Sequence, residues 1–500
     1  MPELALAFDL GTGGCKAAAW ADDGSCLAET VSRYPTQHPS PGRAEQRPAD
    51  WWDAVVASTR ELAQQVPDLA ARVSAIALSG QSLGIVALDS EGELVQQSTP
   101  IWSDTRGAAY TAPVFDAVPE EEWYRRTGNG FGAALYPLFK AGALRAEHPD
   151  TWAATRTLLG SKDWINLRLT GRLATDHSYA SGSGAYSLEA GGYDDELLEA
   201  AGLPRELLVE PGESADQVGP LTPEAAEALG LRPGIPVFAG AVDNAAMALG
   251  SRGTAEGRIY AALGSSSWMT VTSARPVIDV DARPYVFRHA VPGLHVSALS
   301  TFSSGTSFDW WRGLLAPGLD AEAVIAEALT APPGSNGLVF LPMLAGGTPL
   351  EGGPDARGAI TGATLGSTRA ELLRACIEGI AFALRRSLDR IRELSGTRDE
   401  LTVSGGGAQS DGWNRLYADV LQSTLVRTSV DQQAATLGAA TIAFVGLGVW
   451  RWSDADLPHR VVARIDPDPR AAGVYDDARA RFDAALTALA PSTHQEESPR

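Results

Sequence analysis

Lysine is nearly missing from this chain of 500 residues, where Lys16, Lys140 and Lys162 stand against 37 arginines. Arginine is therefore the default cation, and where lysine persists a compact ammonium is the group to look for, as at a phosphate; with three cases, chance retention reads equally well. Cysteine is as scarce. Cys15, Cys26 and Cys376 make neither a disulfide framework nor a metal-binding spacing, and the seven scattered histidines contain no HxxxH or HExxH. Structural zinc is thereby excluded, and a reducing compartment is expected. No apolar run reaches about 18 residues, and no basic n-region leads into an apolar stretch at the start. A cytoplasmic chain is the expectation. Excess positive charge is also lacking: the formal net charge is −21, which argues against nucleic acid or an anionic membrane surface as partner. A polyanionic ligand would have to be met by local donors and a metal.

What is present is an ordinary globular composition, 44% hydrophobic and 20% charged, long enough for more than one domain. The chain is organised around Leu6-Ala7-Phe8-Asp9-Leu10-Gly11-Thr12-Gly13-Gly14-Cys15-Lys16. An apolar run ending in an aspartate, a turn of small residues and a second apolar run predict strand, tight turn, strand. Gly11, Gly13 and Gly14 can turn backbone N–H groups inward as an anion nest, Thr12 adds a hydroxyl, and Lys16 offers a point charge to a phosphate oxygen. Asp9 would face the Mg²⁺ that accompanies such phosphates, through water. The fragment alone reads equally as an ordinary glycine hairpin with an exposed aspartate. It is neither GxxxxGK[ST] nor a GxGxxG that opens a helix.

Further along, Val73–Leu78 reads as a buried strand running into Gln81-Ser82-Leu83-Gly84, and Ile101-Trp102-Ser103-Asp104-Thr105-Arg106 repeats the arrangement. Polar clusters at strand ends can meet a small polar ligand, or be turns with a solvated carboxylate. Gly240-Ala241-Val242-Asp243-Asn244 places Asp243 at a strand-to-helix junction, where it is either a carboxylate aimed into a cleft or a plain N-cap. The second half restates the first: Leu263-Gly264-Ser265-Ser266-Ser267 is again strand, small-residue turn, strand, with Ala262 where Asp9 stood. Thr368-x-x-Glu371 is a capping box opening a long amphipathic helix, inside which Gly379 predicts a close backbone approach. Leu401–Ser404 runs into Gly405-Gly406-Gly407-Ala408, a backbone shelf for a nucleotide's ring and ribose or else a flexible turn.

Taken together the set resembles the FGGY carbohydrate kinases, most closely their xylulokinase-like branch, over about residues 4–450. Asp9–Lys16, Gly240–Asn244, Leu263–Ser267 and Ser404–Ala408 stand in that family's order and spacing, and Gly358–Gly362 nearly reproduces its second signature, with Ala363 departing from it. The resemblance implies an α/β fold of two RNase H-like, actin-like ATPase domains around a central cleft, with ATP and Mg²⁺ bound. It implies an N-terminal domain over 1–246 with the sugar site and first phosphate hairpin, a C-terminal domain over 247–487 with the second hairpin and the adenosine site, and a disordered tail over 488–500. Asp9 would then lie near the metal, Gly11, Thr12, Lys16, Gly264 and Ser265 along the phosphates, and Gly305, Gly406 and Gly407 at the adenosine end. Asp243 would be the base, and Gln81, Ser82, Leu83, Trp102, Asp104, Asp243 and Asn244 would line the substrate site. The branch carries a Met-His pair where this chain has Ser82 and Leu83, which puts xylulose itself in doubt and leaves another ketose, a polyol or a linear polyhydroxy compound open. A small-molecule sugar is the expected partner, and a homodimer is expected from the resemblance alone. An actin- or chaperone-like ATPase and a non-catalytic sugar sensor are the rival readings.

Overall fold

The computed structural model describes residues 3–489. Residues 488 and 489 close the helix Ala472–Leu489, and the rest of the expected tail lies outside the described residues. Two compact units form, each discontinuous in sequence: residues 3–258, 272–297 and 432–460 make the first, and residues 259–271, 298–431 and 461–489 the second.

The first unit is built on a seven-stranded sheet of β1 (Leu4–Leu10), β2 (Gly14–Ala21), β3 (Cys26–Arg33), β4 (Val73–Gly80), β5 (Gln217–Pro220), β6 (Pro236–Phe238) and β7 (Ala241–Val242). Its spatial order is β5-β6-β4-β1-β2-β3, with β7 also on β4. β1 and β2 are antiparallel, as the hairpin reading requires, whereas β4 runs parallel to β1 and β7 parallel to β4. β1 and β4 are buried nearly throughout, which explains their near-continuous apolar runs: a central parallel strand is covered on both faces. The helix Pro48–Gln65 packs on β2 and β3 through Trp51, Val55 and Leu62.

The helix Ala434–Gly446 returns to this unit from far along the chain and lies against β1, β4 and the helix Asp243–Gly250. Small residues permit it. A Cβ on Gly438 would fall 2.0 Å from the Ala246 carbonyl oxygen, and one on Gly250 would fall 1.7 Å from that of Ala434. The two backbones thus approach more closely than larger side chains allow, and that approach ties residues 432–460 to the first unit.

The second unit repeats the plan with β8 (Ile259–Leu263), β9 (Ser267–Ser273), β10 (Leu401–Ser404), β11 (Leu425–Thr428) and β12 (Val461–Ile465). β8 and β9 are antiparallel, and β10 runs parallel to β8. The capping box at Thr368 and Glu371 starts the predicted helix, which runs Arg369–Ser395. At Gly379 a Cβ would sit 2.1 Å from the Phe340 carbonyl oxygen, the close approach expected there.

Candidate active site

In the first unit, three parallel strands end together. Asp9 of β1 stands beside Ser79 of β4, and Ser79 beside Ala241 of β7. The carboxyl ends of adjacent parallel strands are where open α/β sheets place ligands, because helix N-termini and loop donors converge there. Ser79 Oγ donates to Asp9 Oδ1 at 2.7 Å. Asp243 is the first residue of the helix that follows β7, and Val242, not Asp243, is its N-cap. The turn before it needs glycine: Gly240 has φ +77°, and a Cβ there would lie 2.0 Å from the Leu78 carbonyl oxygen.

Asp243 Oδ1 accepts from the Asn244 backbone N–H at 2.8 Å and from Asn244 Nδ2 at 3.0 Å. Burial, reinforced by the negative charge of Asp9, pushes the Asp243 carboxyl up to about 7. Burial also raises Asp9, against the Ser79 hydrogen bond and the charge of Lys16. Two buried carboxyls, one of them raised further by the charge of the other, make a site hungry for a cation, and Asp243 is poised to exchange a proton near neutrality. Among the described residues no cluster of three or more His, Cys, Asp or Glu could hold a metal ion. A lone carboxylate such as Asp9 suits Mg²⁺, which keeps several waters and takes its remaining ligands from phosphates.

The first hairpin tip is braced from behind. Gly11 N–H closes the turn on Gly14 O at 3.0 Å, and Tyr34 OH donates to Gly11 O at 2.6 Å. Gln46 Nε2 donates to Thr12 O at 2.7 Å, and Trp102 Nε1 donates to Thr12 Oγ1 at 2.8 Å. Lys16 Nζ donates to the Gln432 carbonyl.

Gln46 also links the tip to the expected sugar residues, since its Oε1 accepts from Gln81 Nε2 at 2.8 Å. Gln81 N–H donates to Leu10 O at 2.9 Å, and its carbonyl accepts from Ser161 Oγ and Tyr179 OH. Gln81 Oε1 is buried with no hydrogen-bond partner among the described residues, an acceptor whose desolvation a ligand hydroxyl would relieve. Ser82 is buried, and Leu83, at φ +60°, sits in an apolar cluster with Ile85, Leu138 and Phe139. Trp102 is 42% exposed. Asp104 is wholly buried: Arg106 grips both its oxygens at 2.8 Å, and the Ala44 N–H donates to Oδ2 at 2.8 Å. Burial would raise its pKa, but these donors hold the carboxyl below the usual range. Both its oxygens are committed to protein donors, so Asp104 braces the loop that carries Trp102. Asn244 is half-buried beside Asp243.

In the second unit the remaining predicted residues converge. Gly264 N–H bonds Ser266 O at 3.0 Å to close the second tip, and the N–H groups of Ser304, Gly305 and Thr306 donate to Ser265 O, Gly264 O and Ser265 O. Gly305 must be glycine because a Cβ would lie 2.6 Å from Gly264 O. The triple glycine lies over the same hairpin: Gly405, at φ +93°, would put a Cβ 2.6 Å from Leu263 O, and Gly407 would put one 3.0 Å from Leu263 Cβ. Asp431 Oδ1 accepts from the Gly405 N–H at 2.6 Å. Gly406 faces open space.

Sequence reasoning missed Gln46, Tyr179 and Asp431, which carry no motif of their own, and gave Ser79 no role beyond opening the polar cluster at its strand end. Lys140 is signalled only by the rarity of lysine, and Lys162 also by its place in Leu159–Asp163, a segment that resembles one recurring in the family. Both are completely buried, and Lys162 joins Asp163 and Asp176 while donating to the Ala239 carbonyl at 3.1 Å, just ahead of the Asp243 turn.

The profile of the FGGY family of carbohydrate kinases, N-terminal domain, matches residues 4–250, and that of the C-terminal domain matches residues 259–447. The xylulose kinase of Lactococcus lactis is 29% identical over 476 residues, 94% of each chain. The crystal structure of xylulose kinase from Rhodospirillum rubrum superposes with a TM-score of 0.91 at 30% identity, covering 99% of this chain and 100% of that one. Gluconate kinase from Lactobacillus acidophilus also superposes at 0.91, with 25% identity and coverage of 98% and 99%. The two profiles together span most of the chain, and the fold matches throughout: the chain belongs to the FGGY family of carbohydrate kinases and is an ATP-dependent sugar kinase.

Proposed function

We propose that the chain transfers the γ-phosphoryl group of ATP to a hydroxyl of a ketopentose such as xylulose, with Asp243 as the base. One observation carries this reading: a carboxyl pushed up to about 7 stands at a strand-to-helix junction, close enough to feel the charge of a second acid, Asp9, on the far side of the strand between them. Phosphoryl transfer asks mainly for in-line placement and charge neutralisation, so one proton acceptor for the attacking alcohol suffices. Asp243 takes that proton, and its Asn244 contacts fix which way the carboxylate points. Gln81 Oε1 accepts from a sugar hydroxyl, and Trp102 offers its exposed face to the carbon skeleton. In the first unit, Gly11, Thr12 and Lys16 meet phosphate oxygens. In the second unit, Gly264 and Ser265 meet phosphates, while Gly305, Gly406 and Gly407 hold the adenosine end. Asp9 would hold Mg²⁺ through water, and the ion, when bound, neutralises charge on the phosphate oxygens.

A coupled assay of ADP release with ATP, Mg²⁺ and a panel of pentuloses, hexuloses, polyols and gluconate tests this. Release that depends on an added ketopentose supports the proposal, and release that ignores every sugar supports the ATPase reading instead. A second acceptor class is favoured by Leu83. Its side chain is committed to an apolar cluster, so it offers no hydrogen bond to a sugar hydroxyl, and an acceptor other than xylulose would then give the highest kcat/KM.

A further inference from the structure

Lys140 lies on the helix Pro137–Glu147, is completely inaccessible to solvent, and donates from Nζ to three backbone carbonyls: Leu83 O at 2.7 Å, Ile101 O at 2.7 Å and Trp102 O at 3.4 Å. These carbonyls belong to the two loops that carry Gln81 and Trp102. Among the described residues no carboxylate pairs with it directly; Asp104 and Arg106 are the charged groups close enough to act on it, with opposite signs. Burying an ammonium without a counter-ion is costly unless each N–H finds an acceptor. Here three donors meet three acceptors, a match that arginine's planar fork cannot copy in the same space.

The loops it joins are held in places the chain would otherwise avoid. Leu83 has φ +60°, which a branched side chain adopts only when its surroundings insist. Next to it, a Cβ on Gly84 would come within 3.2 Å of the Pro100 carbonyl oxygen, so the two loops already touch. Lys140 Nζ bonds carbonyls of both loops.

We propose that Lys140 is a positioning residue for sugar recognition, its buried ammonium stapling the Gln81–Leu83 loop to the Ile101–Trp102 loop so that Gln81 and Trp102 meet one ligand together. The inference rests on the sugar site proposed above. Two measurements on Lys140→Met, which keeps length and removes every donor, separate the two ideas. Amide hydrogen exchange of the unliganded protein reads the staple without any substrate: exchange should quicken in residues 81–84 and 101–106 together, and stay unchanged in residues 401–408. Steady-state kinetics with the best sugar of the panel reads the consequence: the sugar KM should rise at least tenfold, with kcat within threefold and the ATP KM unchanged. Quickened exchange in the two loops, with a sugar-independent wild type, would keep the staple and reject the sugar site. Unchanged exchange in either loop, an unchanged sugar KM, or equal losses in kcat and both KM values would overturn the proposal. If Lys140→Met does not fold, Lys140→Gln, which retains a donor, is judged by the same criteria.

Discussion

The hairpin that turns between Leu10 and Cys15 and the one that turns between Leu263 and Ser267 share a plan and differ in charge. Each is antiparallel within itself and parallel to a third strand, β4 in the first unit and β10 in the second. Each closes its turn with an N–H to carbonyl bond of 3.0 Å, from Gly11 to Gly14 and from Gly264 to Ser266. Register makes the comparison residue by residue. Asp9 lies between Lys16 and Ser79, whereas Ala262 lies between Trp268 and Ser404. One copy of the plan thus surrounds an acid with a cation and a hydroxyl donor, and the other supplies only backbone N–H groups and hydroxyls. The lesson is that a repeated scaffold need not repeat its charge: the polarised copy belongs to the unit that carries Asp243, and the neutral copy has Ala262 where the acid would stand.

The comparison can be broken most forcefully at the acid it singles out. Asp243→Asn should lower kcat on the order of 10²–10⁴-fold, the range for losing a general base, with circular dichroism unchanged; near-normal turnover would remove the base assignment. The same variant should melt higher than wild type at pH 8. A carboxyl raised to about 7 binds its proton more tightly folded than unfolded, so its contribution to stability is complete at low pH and is lost as pH rises through 7.

Exchanging the differing residue sharpens the contrast. Asp9→Ala, which gives the first hairpin the second one's residue, should cut kcat on the order of 100-fold and raise the Mg²⁺ concentration needed for half-maximal rate. The reciprocal Ala262→Asp should restore nothing to that variant, because no lysine faces position 262. A smaller effect is expected in the pH profile: kcat of the wild type should fall on acidification below about 7, and a profile flat from pH 5 to 8 would separate Asp243 from the chemistry. The smallest effect belongs to the neutral copy. Gly406→Ala meets no protein atom within 4 Å, so the fold and sugar KM should be untouched, while the ATP KM should rise a few-fold. A change in thermal midpoint without one in ATP KM would deny Gly406 a nucleotide contact.

Much of this was legible in the sequence because it is local. The two hairpins, the Asp243 junction, the capping box at Thr368 and the close approach at Gly379 follow from short-range pattern and from glycine's missing Cβ. Three features were not legible. Asp104 reads as a free carboxylate at a strand end, yet Arg106 and the Ala44 N–H occupy both its oxygens, and the Ala44 donor is brought to it only by folding. Lys16 reads as a phosphate ligand, and nothing in its own stretch shows that its ammonium also meets the carbonyl of Gln432, 416 residues away. Leu83 reads as a substrate residue, while its side chain lies in an apolar cluster.

By itself the sequence determined which residue types stand at each strand end, because strand, turn and helix start are written in stretches of about ten residues. The tertiary structure decided which of those ends meet, and therefore which polar groups are left wanting a partner. Gln81 Oε1 has none and Asp104 has several, and Lys140 finds three carbonyls from two separate loops. Hydrogen bonds reach about 3 Å, and only folding brings distant parts of a chain within that range.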